Sequence, residues 1–235
     1  MEKKAEVHHR VHNSYEEDLV NRHLCAYKTF SYPELFFKRV LDITGGLVGT
    51  IIFLIALCIL FIPYHISSEK DKGPMLYRQK RYGYHGEIFY ILKFRTMIVN
   101  AEEYLTQHPE LKKQYHENGN KLSQDPRVTK IGAVIRNKSI DELPQFVNVL
   151  KGDMSLVGPR PILLFESDEY GERLSYLLAC KPGITGYWTT HGRSQVVFPE
   201  RADLELRYLT VHSLFFDIIT ILMTVMQSIS GIGAF

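Results

Sequence analysis

The feature that most constrains this chain is a long apolar segment without formal charge. No aspartate, glutamate, lysine or arginine occurs from Ile43 to Ser68. The segment therefore supplies the roughly 20 apolar residues that a membrane helix needs. A helix buried in a soluble core is the alternative, but such helices are usually shorter and apolar on one side only. We expect a membrane helix within residues 32–68, after a polar tail over residues 1–31.

The charges on both sides of this segment leave its topology open. Lys28, Lys38 and Arg39 precede it, and seven basic residues against three acidic ones follow between Glu69 and Met97. Because basic residues favour the cytoplasmic side of a membrane, two basic flanks suit a re-entrant hairpin as well as a single span. Glycines near the start of the segment and Pro63 near its end are candidate bend points.

The composition of the whole chain excludes several other classes of protein. Of the 235 residues, 45% are hydrophobic and 23% are charged, which is typical of a globular protein and not of a disordered one. A net charge of +2 gives no support to nucleic-acid binding. The three widely spaced cysteines argue against a disulfide framework or a zinc site.

The pattern after the apolar segment predicts a mainly helical α+β domain over residues 69–235. Strands are expected at 75–79, 88–94 and 185–190, and a tight loop at 154–161. Helices are expected at 100–118 with a break at Pro109, at 139–151 closed by Gly152, at 165–179 and, as one or two helices, at 201–227. Asp217 interrupts the apolar residues of the last segment, which suits an amphipathic helix at a membrane surface or in a core.

The strongest chemical candidate is the adjacent pair Asp141 and Glu142. In a structural interpretation, Ser139 caps a helix and Glu142 closes its capping box. In a chemical interpretation, the helix N-terminus keeps the carboxylate of Asp141 ionised, so that it can attack phosphorus and form an acyl phosphate. Glu142 could then hold a divalent metal ion against the phosphates. The residues alone leave both interpretations open.

Phosphate chemistry also requires positive charge around the phosphate groups. The basic candidates are Lys93 and Arg95 in KFRTM, Arg136 just before the acidic pair, Arg160 in GPRP and Arg193 in HGRS. The planar guanidinium group of arginine matches the oxygens of a phosphate. Each of these residues taken alone could equally be an ordinary salt-bridge partner.

Together these segments resemble the bacterial sugar transferases, which are polyprenyl-phosphate phosphoglycosyl transferases of the monotopic type. The resemblance covers about residues 37 to 220, and its longest segment is too long to match by chance. The matching segments are FKRVLDI at 37–43, GPMLYRQKRYG at 73–83, KFRTM at 93–97, DPRVTKIG at 125–132, SIDELPQFVNVLKGDMSLVGPRP at 139–161, KPGITGYW at 181–188 and GRS at 192–194.

The resemblance implies a location and a reaction. It implies a small cytosolic catalytic domain on the bacterial cytoplasmic membrane, with an N-terminal re-entrant membrane helix and amphipathic helices on the membrane surface. Such enzymes move a phospho-sugar from a UDP-sugar to undecaprenyl phosphate and release UMP, by a ping-pong mechanism with Mg²⁺. This is the first membrane step in the synthesis of exopolysaccharide, capsule, O-antigen or other glycoconjugates. Members can also form homodimers.

The resemblance further assigns roles to single residues. It implies that Asp141 is the nucleophile that carries the phospho-sugar and that Glu142 holds Mg²⁺. The remaining candidates would surround the phosphates or the nucleotide: Lys93, Arg95, Arg136, Arg160, Arg193 and Asp217.

This chain departs from the family pattern in two places. Many members break the membrane helix at a Ser-Pro pair, where this chain has Leu54 and Ile55. Many also carry Trp-Gln-Val where this chain has Trp188, Thr189 and Thr190. We expect the first departure to affect the bend of the helix and the second to affect contacts with the sugar or uridine.

Two other functions remain to be weighed against phosphoglycosyl transfer. One is a membrane-anchored scaffold without turnover, which would leave the acidic pair and the arginines unexplained. The other is a membrane-anchored hydrolase that uses Asp141 and Glu142 as acid and base. Adjacent residues on one turn are poorly placed to flank a scissile bond from opposite sides. Strict dependence on the lipid acceptor would separate the transferase from both.

Overall fold

The computed structural model describes residues 30–66, 72–118, 122, 124–191 and 200–230. Its first element is helix α1 (Tyr32–His65), a single α-helix of 34 residues that begins at a capping box formed by Ser31 and Glu34. By length and composition α1 could cross a membrane. Within Tyr32–His65 the helix passes its three glycines and Pro63 without interruption. The re-entrant hairpin within residues 32–68 stays a prediction.

Two small sheets provide the frame on which the helices pack. Strands β1 (Leu76–Tyr82) and β2 (Ile88–Phe94) form an antiparallel hairpin, and β4 (Ile162–Leu163) pairs with the other edge of β1. Strand β3 (Ser155–Val157) pairs in parallel with β5 (Gly183–Thr185). The structure confirms the strand predicted at 88–94 and extends the one predicted at 75–79 as far as Tyr82.

The remaining helices confirm the prediction of a mainly helical α+β fold. The break at Pro109 is confirmed, and the C-terminal helical region forms two helices. The helices are α2 (Ala101–Gln107), α3 (Pro109–Glu117), α4 (Lys130–Asn137), α5 (Gln145–Lys151), α6 (Ser167–Tyr170), α7 (Leu174–Leu177), α8 (Tyr187–His191), α9 (Glu200–Val211) and α10 (Leu214–Ser230).

Three local predictions were wrong. Residues 139–151 form a short 3₁₀ turn (Ile140–Glu142) and then α5, because Pro144 lacks the N–H that a continuous helix would use. Residues 165–179 divide into short helical pieces on either side of Gly171, whose φ of 52° interrupts a right-handed helix. The strand expected at 185–190 ends at Thr185, and α8 follows it.

Helix α1 is part of the packed domain and shares a core with it. A smaller hydrophobic cluster joins Phe53 and Tyr64 of α1 to Phe94 of β2 and Ile135 of α4. The glycines of α1 permit a close approach, since a Cβ atom at Gly49 would lie only 2.2 Å from the ring of Phe146. These contacts fix α1 beside the elements that carry the candidate site.

Candidate active site

The acidic pair lies on the 3₁₀ turn that joins α4 to α5. The chain reverses at Ser139, which adopts a left-handed conformation with φ of 53° and makes no side-chain cap. Ile140 and Leu143 pack against the smaller hydrophobic cluster. Because these apolar residues hold the turn in place, Asp141 and Glu142 can remain partly exposed.

Strand β2 supplies the first cation of the site. Lys93 lies near the end of β2, and its Nζ donates to Oε1 of Glu142 at 3.0 Å. The buried amide of Asn148 on α5 fixes the distance between the strand and the turn. It accepts a hydrogen bond from the backbone N–H of Leu92 at 3.0 Å and donates to the carbonyl of Tyr90 at 2.8 Å.

The two neighbouring carboxylates have different acidities. Burial raises the pKa of Asp141 to about 6, the charge of Glu142 adds to this shift, and Lys93 and Arg136 oppose it. Burial also acts to raise the pKa of Glu142, but the charge and hydrogen bond of Lys93 outweigh it, so that this pKa is lowered. At neutral pH Glu142 is therefore ionised, while Asp141 is ionised and more basic than an ordinary aspartate.

This result corrects one step of the sequence argument. A helix N-terminus was expected to favour the ionised form of Asp141. The local structure is a single 3₁₀ turn, and burial beside a second carboxylate raises the pKa of Asp141 instead. A more basic carboxylate that is still ionised at pH 7 is the better nucleophile of the pair.

Two arginines approach the acidic pair from different segments. Arg136, in the last turn of α4, donates from Nε to Oγ1 of Thr96 at 2.8 Å, and its charge acts on Asp141. Arg160 lies with its guanidinium carbon 5.6 Å from the ring centre of Trp188, and its charge acts on Glu142. Cations from β2, α4 and the loop after β3 thus act on one pair of carboxylates.

Close backbone packing positions the loop of Arg160. The N–H of Gly158 donates to the carbonyl of Thr185 at 2.9 Å, and that of Gly183 donates to the carbonyl of Pro159 at 2.8 Å. A Cβ atom at Gly158 would lie 2.4 Å from the carbonyl oxygen of Lys181. Only glycine allows this approach, which brings the GPRP and KPGITGYW segments together in one wall.

The structure places two other predicted ligands in structural contacts. Arg95 is buried and donates to the carbonyls of Pro74 at 2.7 Å and Met97 at 2.9 Å, which fixes the loop after β2. Asp217 is buried on α10, where its Oδ2 lies 2.5 Å from Nζ of Lys38 and Oδ1 accepts from Tyr208 at 3.1 Å. Arg193, the last predicted ligand, lies outside the described residues.

The sequence prediction assigned no role to three residues that contact the side chains or backbone of the predicted site residues. Thr96 orients Arg136, Trp188 underlies Arg160, and Tyr64 of α1 donates its hydroxyl to the carbonyl of Arg95. Thr96 and Trp188 lie within the motifs KFRTM and KPGITGYW, so their place in these motifs could have identified them as residues of the site. Tyr64 stands at the end of an apolar segment, and its contact with the site depends on tertiary packing.

The two carboxylates of the site are donors of the kind that a magnesium ion accepts. Among the residues that the structure describes, no cluster of three or more histidine, cysteine, aspartate or glutamate side chains could hold a metal alone. Mg²⁺ is commonly bound by one or two carboxylates together with phosphate oxygens and water. Asp141 and Glu142 provide such carboxylates beside three cationic side chains that suit phosphate.

Comparison with known proteins gives a consistent family assignment. The model of the family described as bacterial sugar transferase matches residues 33–231. The galactosyl transferase CpsE of Streptococcus agalactiae is 43% identical over 88% of this chain and 45% of its own length. The undecaprenyl-phosphate galactose phosphotransferase of Salmonella typhimurium is 39% identical over 85% of this chain and 42% of its own length.

A third relative is matched over most of its length. The exopolysaccharide production protein ExoY of Rhizobium meliloti is 35% identical over 80% of this chain and 83% of its own length. By contrast, this chain spans less than half the length of the first two relatives. The family match from residue 33 to residue 231 includes the acidic turn, the three cationic segments and nearly all of α1.

Proposed function

Because the chain belongs to the bacterial sugar transferase family, we propose that it transfers a sugar phosphate from a UDP-sugar to undecaprenyl phosphate. The products are UMP and an undecaprenyl-diphosphate sugar. Relatives named as undecaprenyl-phosphate galactose phosphotransferase and UDP-glucose:undecaprenyl-phosphate glucose-1-phosphate transferase support this reaction. The observation that carries the proposal is the 3₁₀ turn with two adjacent carboxylates among three cationic side chains. On this turn the pKa of Asp141 is raised and that of Glu142 is lowered.

The proposed mechanism has two displacement steps at one phosphorus atom. In the first step, a carboxylate oxygen of Asp141 attacks the phosphorus attached to the sugar, and the bond to the bridging oxygen breaks with release of UMP. In the second step, a phosphate oxygen of undecaprenyl phosphate attacks the same phosphorus. The bond to Asp141 then breaks, which releases the lipid-linked product and regenerates the carboxylate.

The cationic side chains stabilise the charge of both steps. Lys93 donates a hydrogen bond to Glu142, the charge of Arg136 acts on Asp141, and the charge of Arg160 acts on Glu142. Their positions suit a pyrophosphate that approaches Asp141 in line with its leaving group. Glu142, with phosphate oxygens of the donor, would hold Mg²⁺, which neutralises phosphate charge when it is bound.

The chemistry of the two substrates requires a site at a membrane surface. The nucleotide sugar is water-soluble, whereas undecaprenyl phosphate is anchored in lipid. We therefore propose that the domain works on the cytosolic face of the cytoplasmic membrane, with α1 as its principal membrane contact. The large exposed apolar surface of α1 supports this location, because only 17% of its most apolar 18-residue window is buried in the protein.

Release of UMP tests the proposal. The purified protein in nanodiscs with Mg²⁺ would be given a panel of UDP-sugars, with and without undecaprenyl phosphate. We expect that at least one UDP-sugar gives multiple-turnover release of UMP, and that this turnover requires undecaprenyl phosphate. We expect no turnover by Asp141→Asn. The matched control is Asp203→Asn, the same change at an exposed surface ion pair with Arg173. Lipid-independent release of UMP and free sugar phosphate would indicate a hydrolase and overturn the proposal.

A further inference from the structure

We infer that Arg81 of β1 is a positioning residue for the transfer reaction. It acts through Arg160, by holding the GPRP loop (residues 158–161) in the place from which Arg160 acts on the acidic pair. The inference rests on the proposed function for the reaction that Arg160 serves, but the structural link between the two arginines can be tested without turnover. It follows from what Arg81 bonds to, what its burial costs and which charges lie near it.

Arg81 joins β1 to the outgoing end of the GPRP loop. The residue is only 6% exposed. Its Nη1 donates to the carbonyl of Pro161 at 2.8 Å, and its Nη2 donates to Oε1 of Gln79 at 2.8 Å. Pro161 follows Arg160 directly in the chain, and Leu163 of β4 pairs with Arg81 in the sheet. The backbone pairing and the side-chain bond therefore fix this end of the loop on β1.

The incoming end of the loop is fixed to β5, through the hydrogen bonds of Gly158 and Pro159 described above. Between the two attachments, the guanidinium group of Arg160 lies over the ring of Trp188. Its Nε is buried without a hydrogen-bond partner among the described residues. The position of Arg160 therefore depends on how the loop backbone is held at its two ends.

The burial of Arg81 is costly for a residue with a purely structural role. Both acceptors of its hydrogen bonds are uncharged, and its Nε has no partner in the part of the chain that the structure describes. Burial lowers the pKa of Arg81 to about 10. A buried guanidinium group whose acceptors do not neutralise it destabilises the folded state. Groups of this kind are concentrated at functional sites.

The charges that act on Arg81 connect it to the active site. Besides burial, the charge of Arg160 lowers the pKa of Arg81, and the charges of Glu166 and Glu142 raise it. Glu166 follows the loop in the chain and lies 3.6 Å from Nη1 of Arg201. Arg81 thus lies close to Arg160 and Glu142, although its own hydrogen bonds go to neither. This is the arrangement expected of a residue that positions another one.

The fluorescence of Trp188 reports the position of Arg160 without any turnover. Trp188 is the only tryptophan among the 235 residues, and the guanidinium carbon of Arg160 lies 5.6 Å from its ring centre. A cation this close to an indole interacts with its π-system, so that its loss changes the emission. We expect Arg160→Met to shift the emission of the protein in nanodiscs, and Arg81→Met to shift it in the same direction. In the double variant, Arg81→Met should add no further shift.

Arg39→Met is the matched control for this measurement. Arg39 also donates to two backbone carbonyls, those of Val149 and Leu150, both at 2.8 Å, but these belong to α5 and not to the GPRP loop. The control should leave the emission of Trp188 unchanged. Wild-type emission in Arg81→Met would overturn the inference. So would an equal shift by Arg81→Met in protein that already lacks Arg160.

The same variants test the consequence for the reaction, through kcat/KM for the UDP-sugar donor with undecaprenyl phosphate present. Arg160→Met should lower kcat/KM by about 100-fold or more. Arg81→Met should lower it by about 10- to 100-fold, because a small displacement of a charged group is enough. The double variant should lie within about twofold of Arg160→Met, whereas the losses of Arg39→Met and Arg160→Met should multiply.

Losses that multiply at Arg81 and Arg160 would overturn the inference, because they would show that Arg81 does not act through Arg160. Failure of the proposed function would be seen differently, as an absence of turnover in the wild type. The two failures are therefore distinguishable.

A conservative variant keeps the test decisive if Arg81→Met does not fold. Arg81→Lys keeps the positive charge but loses the planar fork with which arginine reaches two acceptors at once. Thermal unfolding checks that the variant is folded. We expect shifted emission of Trp188 and reduced kcat/KM, and both changes should disappear in the Arg160→Met background. A folded Arg81→Lys protein with wild-type emission and kcat/KM would overturn the inference.

Discussion

The two lysine–carboxylate pairs of this protein differ in their surroundings more than in their geometry. Lys38 and Asp217 lie 2.5 Å apart, with side-chain exposures of 13% and 1%. Lys93 and Glu142 lie 3.0 Å apart, with exposures of 26% and 38%. The first pair also bonds to Tyr208 and the carbonyl of Val157, so that its hydrogen bonds are satisfied within the protein. The second pair remains accessible to a ligand.

This difference separates a structural role from a chemical one. Removing one partner of a buried, hydrogen-bonded pair leaves an unpaired charge and is strongly destabilising. A partly exposed pair contributes little to stability because water screens it. Changes at Lys93 and Glu142 should therefore affect the stability of the fold only slightly. The pair of Lys38 and Asp217 can hold α1 and α10 together.

The largest expected effect is on turnover, at Asp141→Asn. Without a nucleophile, lipid-dependent UMP release should fall by about 1,000-fold or more. Stability should not fall. Since the pKa of Asp141 is raised to about 6, its ionised form destabilises the folded state above that pH, and this cost disappears as the pH falls towards 4. The melting temperature of the variant at pH 7.5 should equal or exceed that of the wild type, and a marked decrease would contradict this account.

The next largest effect is on stability, at the buried pair. Lys38→Met should lower the free energy of unfolding by about 3–5 kcal/mol, because Asp217 is left buried without its partner. The double variant Lys38→Met with Asp217→Leu should lose less than the sum of the two single losses. Lys93→Met is the matched control and should change stability by less than about 1 kcal/mol. Chemical denaturation in detergent measures all four proteins, and equal losses at Lys38 and Lys93 would contradict the comparison.

A smaller effect tests whether the structural role extends along α1. Gly49→Ala should destabilise the protein by about 1–3 kcal/mol, because the added Cβ would meet the ring of Phe146 at 2.2 Å. Val48→Ala, on the exposed side of the same turn, should change stability by less than about 0.5 kcal/mol. Thermal unfolding of both variants gives the answer. A Gly49→Ala protein as stable as Val48→Ala would show that α1 is not held closely against α5.

The smallest effect is a shift in the pH dependence of activity, which Lys93 influences through the pKa of Asp141. Activity should decrease below pH of about 6, as Asp141 becomes protonated, and not near pH 4 as for an ordinary aspartate. Lys93→Met should move this decrease to higher pH, because the charge of Lys93 lowers the pKa of Asp141. The pH profile of kcat/KM for both proteins tests this, and a decrease centred near pH 4 would contradict the assigned pKa.

The sequence predicted the parts of this structure that depend on local pattern. The apolar segment, the hairpin strands and the break at Pro109 all follow from composition and from proline and glycine. Asp141, Glu142, Lys93, Arg136 and Arg160 were also named from the sequence, and the structure brings these five side chains together.

Other features depended on tertiary packing. Asp217 stands in a motif that suggested a ligand, but the distance between α1 and α10 decides that it pairs with Lys38. The close approach of α1 to α5 depends on glycines that lie against Phe146 and Leu150, about 100 residues further along the sequence. The raised pKa of Asp141 depends on burial, which no local pattern reports.

Mass spectrometry of the protein with a UDP-sugar donor and no lipid acceptor tests the central claim most directly. The account predicts a covalent adduct with the mass of a sugar phosphate, mapped to Asp141 in the wild type and in Asp203→Asn, and absent from Asp141→Asn. Addition of undecaprenyl phosphate should remove the adduct and yield the lipid-linked product. An adduct on another residue, or lipid-dependent turnover that persists in Asp141→Asn, would contradict the account.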